Sequence, residues 1–178
     1  RWKLPAGDFD NDKVTVRRLL SHTAGLTDGL GYNGFEPGVP VQSLEASLTK
    51  AADASPGADG ATKVGREPGQ WDYSGGGYTL LQLLIEEVSG QPFNSYMTQA
   101  VFAPLGMTRS TYVLDAAPTN LAEFHDVDGS RAIHYRFTAL AAASLYTSAA
   151  DMARLIAAHT PGPNGEPAGR GVLSHVGL

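Results

Sequence analysis

The chain has 178 residues, enough for one domain that buries a substantial hydrophobic core. A net charge of -5, with no cluster of Lys and Arg, argues against a nucleic-acid partner. Cysteine is absent, which excludes disulfides and thiolate metal sites, and no apolar run approaches the ~20 residues that span a bilayer.

The first half of the sequence predicts short helices separated by loops. Thr15 has the side chain of an N-cap and Gly25 is suited to a C′ position, so a short helix is expected between them. Gly and Pro are concentrated in the segments that follow, which predicts long connections. In chain order the predicted elements are a loop over 1–12, a helix over Val16–His22, a loop over 27–40, a helix over 43–52 and a loop over 53–69.

The second half contains the strongest helix signal, over Tyr78–Val88. Leu81, Leu84, Ile85 and Val88 follow the spacing of one helix face, and neighbouring leucines widen it, so this helix is expected to be buried on most sides. Further predicted elements are a helix from Pro92 to Pro104, a helix from Ser148 with Asp151 completing a capping box, and weak strands at Thr111–Leu114 and Arg131–Phe137. The sequence therefore predicts a mainly α chain with long loops.

Four segments, in order and at matching spacing, resemble the serine β-lactamase-related family, which includes class C β-lactamases, penicillin-binding-protein-like enzymes, D-aminopeptidases and esterases. They are VTVRRLLSHTAGL (14–26), PGQWDYSGGGYTLLQLLIEEVSG (68–90), FAPLGM (102–107) and AAASLYTSAADMARLI (141–156). The resemblance implies the helical region of a penicillin-binding-protein-like (β-lactamase/transpeptidase-like) α/β fold. It also implies acyl transfer to a serine, followed by hydrolysis of an ester, amide or β-lactam.

That chemistry uses three motifs. In Ser-x-x-Lys the serine attacks a carbonyl carbon and the lysine, one helical turn away, takes its proton. The tyrosine of Tyr-x-Asn shuttles the proton between nucleophile and leaving group, and a Lys-Thr-Gly or His-x-Gly strand supplies positive charge and part of the oxyanion hole.

Here Tyr73-Ser74-Gly75 is similar to the second motif. The resemblance implies that Tyr73 is the catalytic proton shuttle and that Ser74 and Gly75 lie in the substrate cleft. Many relatives have Asn where this chain has Gly75. Losing that side-chain amide favours an esterase or peptidase-like parent over a β-lactamase.

The other two motifs are expected outside this chain, upstream of Arg1 and well beyond Leu178. We therefore expect residues 1–178 to be a partial β-lactamase-related domain, an internal fragment that is inactive alone. Its partners would be the remainder of the parent protein or a second copy, with a small-molecule ester, amide or β-lactam as the parent's substrate. The resemblance is compatible with a periplasmic or secreted parent, but this chain carries no signal for either compartment.

Two short matches are interpreted as coincidental. Ser47-Leu48-Thr49-Lys50 fits Ser-x-x-Lys but lies on the wrong side of the SHTAGL segment, and His175-Val176-Gly177 fits His-x-Gly but follows the last helix too closely. His22 is expected to form a local hydrogen bond, not to act as a base. Asp8, Asp10 and Asp12 are interpreted as a solvated acidic turn, since the later calcium-loop positions are absent.

No cofactor and no metal site is predicted, because the five histidines are scattered and no HExxH pattern occurs. Two alternatives stay open. The chain is a non-catalytic helical binding or regulatory module derived from such an enzyme, or a complete small esterase that uses Ser47 and Lys50.

Overall fold

The computed structural model describes residues 2–28, 32–116 and 119–173. Within these ranges, loops and turns make up most of the chain, so the expectation of a mainly α protein is not confirmed. The helices are α1 (Val16–Leu20), α2 (Leu44–Thr49), α3 (Gly75–Ser89), α4 (Phe93–Met97), α5 (Leu140–Ala143) and α6 (Ala149–Ala157), and the strands are β1 (Leu26–Asp28) and β2 (Thr62–Val64). Shorter turns of 3-10 helix (Asn11–Lys13, Leu114–Ala116) and π-helix (Thr98–Phe102) accompany them.

Helix α3 is the centre of the fold, because α1, α2, α4, α5 and β1 all pack against it. It begins three residues before the predicted start. Ser74 caps it by accepting a hydrogen bond from the Gly77 N–H, and this cap allows the glycine run to form the first turn. Gly90, with a φ of 68°, ends the helix in the left-handed conformation that favours glycine.

The hydrophobic core consists of two clusters on either side of α3. One joins Leu19, Ala24, Leu26, Val64 and Leu81, and the other joins Leu44, Leu48 and Leu83. The face of α3 that carries Leu81 becomes open to solvent towards the C-terminus, since Leu84 is 39% and Val88 is 79% exposed. The prediction that this helix is buried on most sides is therefore wrong for its C-terminal half.

The two strands lie where the sequence predicts loops. β1 and β2 pair antiparallel, with Leu26 opposite Val64, and the buried Val64 joins the core beneath α3. Each strand has only three residues, too few for an alternating pattern to be recognised. The two predicted strands are not formed. Their residues make isolated bridges instead, Thr111 with Tyr146, Arg131 with His125 and Arg136 with Phe35.

The remaining helix ends differ from the prediction by small amounts with local causes. Thr15 caps α1 as expected, but the helix ends at Leu20 because the chain turns left-handed at His22. Pro92 is the N-cap of α4, not its first residue. No helix in the part of the chain that the structure describes is long and apolar enough to cross a membrane.

Candidate active site

Tyr73 immediately precedes the residue that caps α3, and it is 65% exposed. It borders a shallow cleft of about 170 Å3. The described residues that line this cleft are His22, Tyr73, Gly75, Tyr78, Ala141 and Ala142. None of these is a serine, cysteine, lysine or carboxylate, so this lining offers a phenolic hydroxyl that can move a proton but no acyl-accepting nucleophile.

Two larger cavities, of about 660 Å3 and 350 Å3, lie elsewhere in the described structure. Ser144 borders both of them, whereas no residue of the Tyr73-Ser74-Gly75 motif borders either. We take the cleft at Tyr73 as the candidate site because a residue of the motif borders it, although the cleft is smaller than the two cavities.

The Ser74 side chain caps the start of α3. It is 4% exposed, and its Oγ accepts the Gly77 N–H at 2.9 Å, which satisfies one of the four free N–H groups at a helix start. Although Ser74 was expected in the substrate cleft, it is not among the residues that line the cleft. Its hydroxyl acts as a structural cap.

Gly75 is the first residue of α3 and does line the cleft. Its φ is not positive, unlike that of Gly69 or Gly90, so its backbone conformation is open to residues with a side chain. The backbone conformation therefore does not by itself require glycine at this position.

His22 also lines the cleft, which the sequence analysis does not predict. Its Nδ1 accepts a hydrogen bond from the Ser74 N–H at 3.1 Å, across 52 residues, so the expectation of a local bond is wrong. Its ring centroid lies 4.8 Å from that of Tyr73 and 5.1 Å from that of Tyr78. One signal was available in the sequence: histidine directly after a helix, where a left-handed residue is expected, belongs to the types enriched in that conformation.

Tyr78 joins α3 to the end of α1 on the same side of the cleft. Its hydroxyl donates to the carbonyl oxygen of Leu20 at 3.1 Å. Leu20 is the last residue of α1, whose carbonyl has no partner within the helix, so this bond satisfies both groups. The Tyr78 hydroxyl is thereby engaged in a structural hydrogen bond, and Tyr73 supplies the exposed phenol of the cleft.

The Ser47–Lys50 match is separate from this site. Ser47 is 1% exposed inside α2, and among the described residues its Oγ has no hydrogen-bond partner, while Lys50 is exposed at the end of that helix. A serine that neither solvent nor a substrate can reach does not act as a nucleophile, which argues against a small esterase built on this pair. The His175-Val176-Gly177 match lies outside the described residues.

Asp, Glu, Lys and Arg are absent from the described lining of the cleft. The Asp72 carboxylate, one residue before Tyr73, pairs with Arg66 and is thereby compensated. Within residues 2–28, 32–116 and 119–173, no three His, Cys, Asp or Glu side chains are grouped as a metal site requires. Asp10 caps the short turn Asn11–Lys13 through the Asp12 N–H, in agreement with a solvated acidic turn.

Solved structures show the same arrangement of elements. The crystal structure of penicillin binding protein from Bacillus halodurans matches with a TM-score of 0.60 and 27% identity, over 82% of this chain and 46% of that one. The octameric penicillin-binding protein homologue from Pyrococcus abyssi matches with a TM-score of 0.60 and 23% identity, over 88% of this chain and 37% of that one. The fold is therefore that of the β-lactamase/transpeptidase-like proteins.

Sequence comparison agrees with the fold. PbpX of Bacillus subtilis (strain 168), named as a penicillin-binding protein, is 30% identical over 148 residues, covering 78% of this chain and 33% of the relative. A family model described as Beta-lactamase matches residues 2–175. The chain belongs to the Beta-lactamase family, and it spans about a third of the length of this curated relative.

Proposed function

We propose that residues 1–178 form one wall of the acyl-transfer cleft of a serine hydrolase, in which the Tyr73 hydroxyl moves the proton. The observation that carries this proposal is the placement of Tyr73, exposed beside the cleft while the neighbouring Ser74 and Tyr78 hydroxyls are held in structural hydrogen bonds. A proton carrier must be free to reach the reacting atoms, and Tyr73 meets that requirement.

In the proposed reaction, a serine oxygen attacks the carbonyl carbon of the substrate. As the new carbon–oxygen bond forms, the serine proton passes to the Tyr73 oxygen while the hydroxyl proton of Tyr73 passes to the leaving oxygen or nitrogen, so that the phenol is neutral before and after the transfer. The bond between the carbonyl carbon and the leaving atom then breaks. Water then attacks the acyl-enzyme by the same route and releases the acid.

The nucleophile is proposed to come from outside these residues. Ser47 is buried, and the described lining of the cleft contains no serine. The relatives also extend well beyond the matched region, since this chain covers 33% of PbpX and 46% of the Bacillus halodurans protein. Together these observations support a chain that is catalytically silent when isolated.

Esters are the proposed substrates, ahead of β-lactams. Gly75 lines the cleft and offers no side-chain amide to orient a substrate amide. A site without a hydrogen-bonding group for an amide has little preference for amides over esters. We expect any hydrolase that contains this chain to turn over a simple aryl ester faster than penicillin.

An acylation experiment tests where the nucleophile lies. The 178-residue chain is treated with a fluorophosphonate probe and its intact mass is measured, with Ser47→Ala as the matched control. We expect no adduct on either protein. A stoichiometric adduct that maps to any serine of the chain would overturn the proposal, and its loss in Ser47→Ala would identify Ser47 as the nucleophile.

A second candidate function, a non-catalytic binding module, is favoured by the same lack of a nucleophile in the described lining. The two differ in what Tyr73→Phe does in an active hydrolase that contains residues 1–178. The catalytic proposal requires turnover to fall sharply, whereas a binding module requires ligand affinity, not turnover, to depend on this wall of the cleft.

A further inference from the structure

His22 closes helix α1 in a conformation that glycine adopts more easily. Its N–H donates to the carbonyl of Leu19 at 3.2 Å and the Thr23 N–H donates to that of Arg18 at 2.8 Å, which together form a Schellman motif. His22 occupies the left-handed position of that motif, with a φ of 55°. Glycine would form the same turn with less strain, so the imidazole has to contribute an interaction that offsets this cost.

His22 binds the backbone on both sides of Tyr73, on one side through its own carbonyl and on the other through its imidazole. The carbonyl of His22 accepts the Asp72 N–H at 2.8 Å, and its Nδ1 accepts the Ser74 N–H at 3.1 Å. The second bond fixes the peptide plane that leaves Tyr73, because that N–H belongs to the Tyr73–Ser74 peptide group. An accepting Nδ1 also assigns the proton of the neutral ring to Nε2.

The imidazole also contacts the tyrosine ring itself. The two ring centroids are 4.8 Å apart with planes inclined at 35°, and the Tyr78 ring lies 5.1 Å away from the same imidazole. An exposed aromatic side chain would otherwise exchange between staggered rotamers. Packing against a ring that is itself tied to the turn restricts Tyr73 to the orientation in which it borders the cleft.

We infer that His22 is a positioning residue for Tyr73, which it holds through the Ser74 N–H and through ring contact. The inference rests on the proposed role of Tyr73 for its catalytic consequence, although the positioning itself is a property of the 178-residue chain. Proton transfer needs its donor and acceptor within hydrogen-bond reach, and small misplacements lower turnover by large factors.

Three variants separate the contributions of His22. In His22→Asn, Oδ1 takes the place of Nδ1 and the residue still tolerates a positive φ, so the acceptor is kept and the ring is lost. In His22→Phe an aromatic ring is kept and the acceptor is lost. In His22→Gly both are lost while the turn is relaxed, so this variant is expected to melt no lower than His22→Phe.

Nuclear magnetic resonance of the 178-residue chain gives the direct readout. Long-range proton–nitrogen correlation should show His22 with the proton on Nε2 and an unprotonated Nδ1. Hydrogen exchange at the Ser74 amide should accelerate by at least tenfold in His22→Phe and His22→Gly and return towards the wild-type rate in His22→Asn, with the Tyr73 ring signals shifting in parallel. A proton on Nδ1, or an unchanged Ser74 amide and Tyr73 ring in His22→Phe, would overturn the inference.

Turnover in an active hydrolase that contains residues 1–178 gives the second readout. His22→Phe should lower kcat by about tenfold or more with little change in KM, and His22→Asn should restore a large part of the loss. Tyr73→Phe is measured beside them. If Tyr73→Phe lowers kcat and His22→Phe does not, the positioning role fails while the proposed function stands; if Tyr73→Phe keeps full activity while the amide and tautomer results hold, the proposed function fails and the positioning stands.

Discussion

The carboxylate of Asp151 accepts the backbone N–H of Arg109 at 2.8 Å, although 42 residues separate them in the sequence. Asp151 is 1% exposed, and it also accepts hydrogen bonds from Ser110 Oγ at 2.8 Å and from Arg154 at 2.9 Å. A carboxylate with all these donors is well compensated in spite of its burial. It ties α6 to the loop that follows α4.

Asp151→Asn should destabilise the protein by about 1–3 kcal/mol at neutral pH, because the amide presents a donor to groups that themselves donate. Burial acts to raise the pKa of Asp151, but hydrogen bonds from Ser110 and Arg109 and the charge of Arg154 outweigh it and lower the pKa below its ordinary 3.8. The stabilisation is therefore complete above that value and is lost as the pH falls below it. Melting temperatures of both proteins from pH 7 to pH 2 should differ by a constant amount at first and then converge below about pH 4.

Asp53 serves as a control, because its effect on stability should change with pH in the opposite direction. Burial raises its pKa, against weaker lowering by backbone hydrogen bonds, and its Oδ1 has no hydrogen-bond partner among the described residues. Its ionised form is therefore the costly one, so the wild type gains stability relative to Asp53→Asn as the pH falls. Identical pH profiles for the two Asn variants would contradict both assignments.

The role of Asp151 illustrates what the sequence predicted and what it did not. Ser148 and Asp151 have capping-box spacing, and the Ser148 Oγ does accept the Asp151 N–H at 3.2 Å. The Asp151 carboxylate, however, bonds to Arg109 and Ser110 instead of completing the box. Local spacing predicts where a helix starts, whereas a partner 42 residues away depends on the tertiary packing.

At the candidate site, too, local features were predicted from the sequence and tertiary contacts were not. The resemblance around residues 68–90 pointed to Tyr73, and the structure places it beside a cleft. The resemblance implied that Ser74 lies in the substrate cleft, whereas in the structure α3 begins at Gly75 and the Ser74 side chain caps it. The left-handed conformation of His22 has a sequence signal, but its bond to Ser74 has none, because the donor is a backbone N–H 52 residues away.

Glycines at two positions should respond in opposite directions to alanine. At Gly77, inside α3, a Cβ would meet only ordinary contacts, the nearest 3.4 Å away at Ser74 Oγ, so Gly77→Ala should stabilise by about 0.5–1 kcal/mol through helix propensity. At Gly7 a Cβ would overlap the Val64 carbonyl oxygen, so Gly7→Ala should destabilise the protein. Urea unfolding of both variants measures the two effects, and a loss of stability in Gly77→Ala would contradict the packing described for the start of α3.

The exposed side of α3 should make the isolated chain self-associate. Leu84 and Val88 are one helical turn apart and both are exposed, which presents apolar surface that monomers usually cover. Sedimentation velocity at increasing concentration should show association that Leu84→Lys/Val88→Lys weakens. Val127→Lys is the matched control, because Val127 is fully exposed but lies outside the helices. A monodisperse wild-type protein that binds no hydrophobic dye would show that this surface is not an interaction site.

Tyr73→Phe and Ser74→Ala should separate activity from stability. Phenylalanine keeps the ring that contacts His22 and removes only the hydroxyl, so stability should be unchanged while kcat/KM on a simple ester falls by about 10²–10⁴-fold in an active hydrolase that contains this chain. Ser74→Ala removes the cap of α3 and should cost about 0.5–2 kcal/mol of stability with a much smaller change in kcat/KM measured well below the melting temperature. Gly75→Asn adds a side-chain amide at a position whose φ is not positive, and it should shift the ratio of amide to ester turnover upwards. Melting temperatures and kcat/KM for an aryl ester and its amide, measured on all three variants, test these expectations together. Full activity in Tyr73→Phe at unchanged stability would make Tyr73 a packing residue, since its ring would then be all that the protein uses.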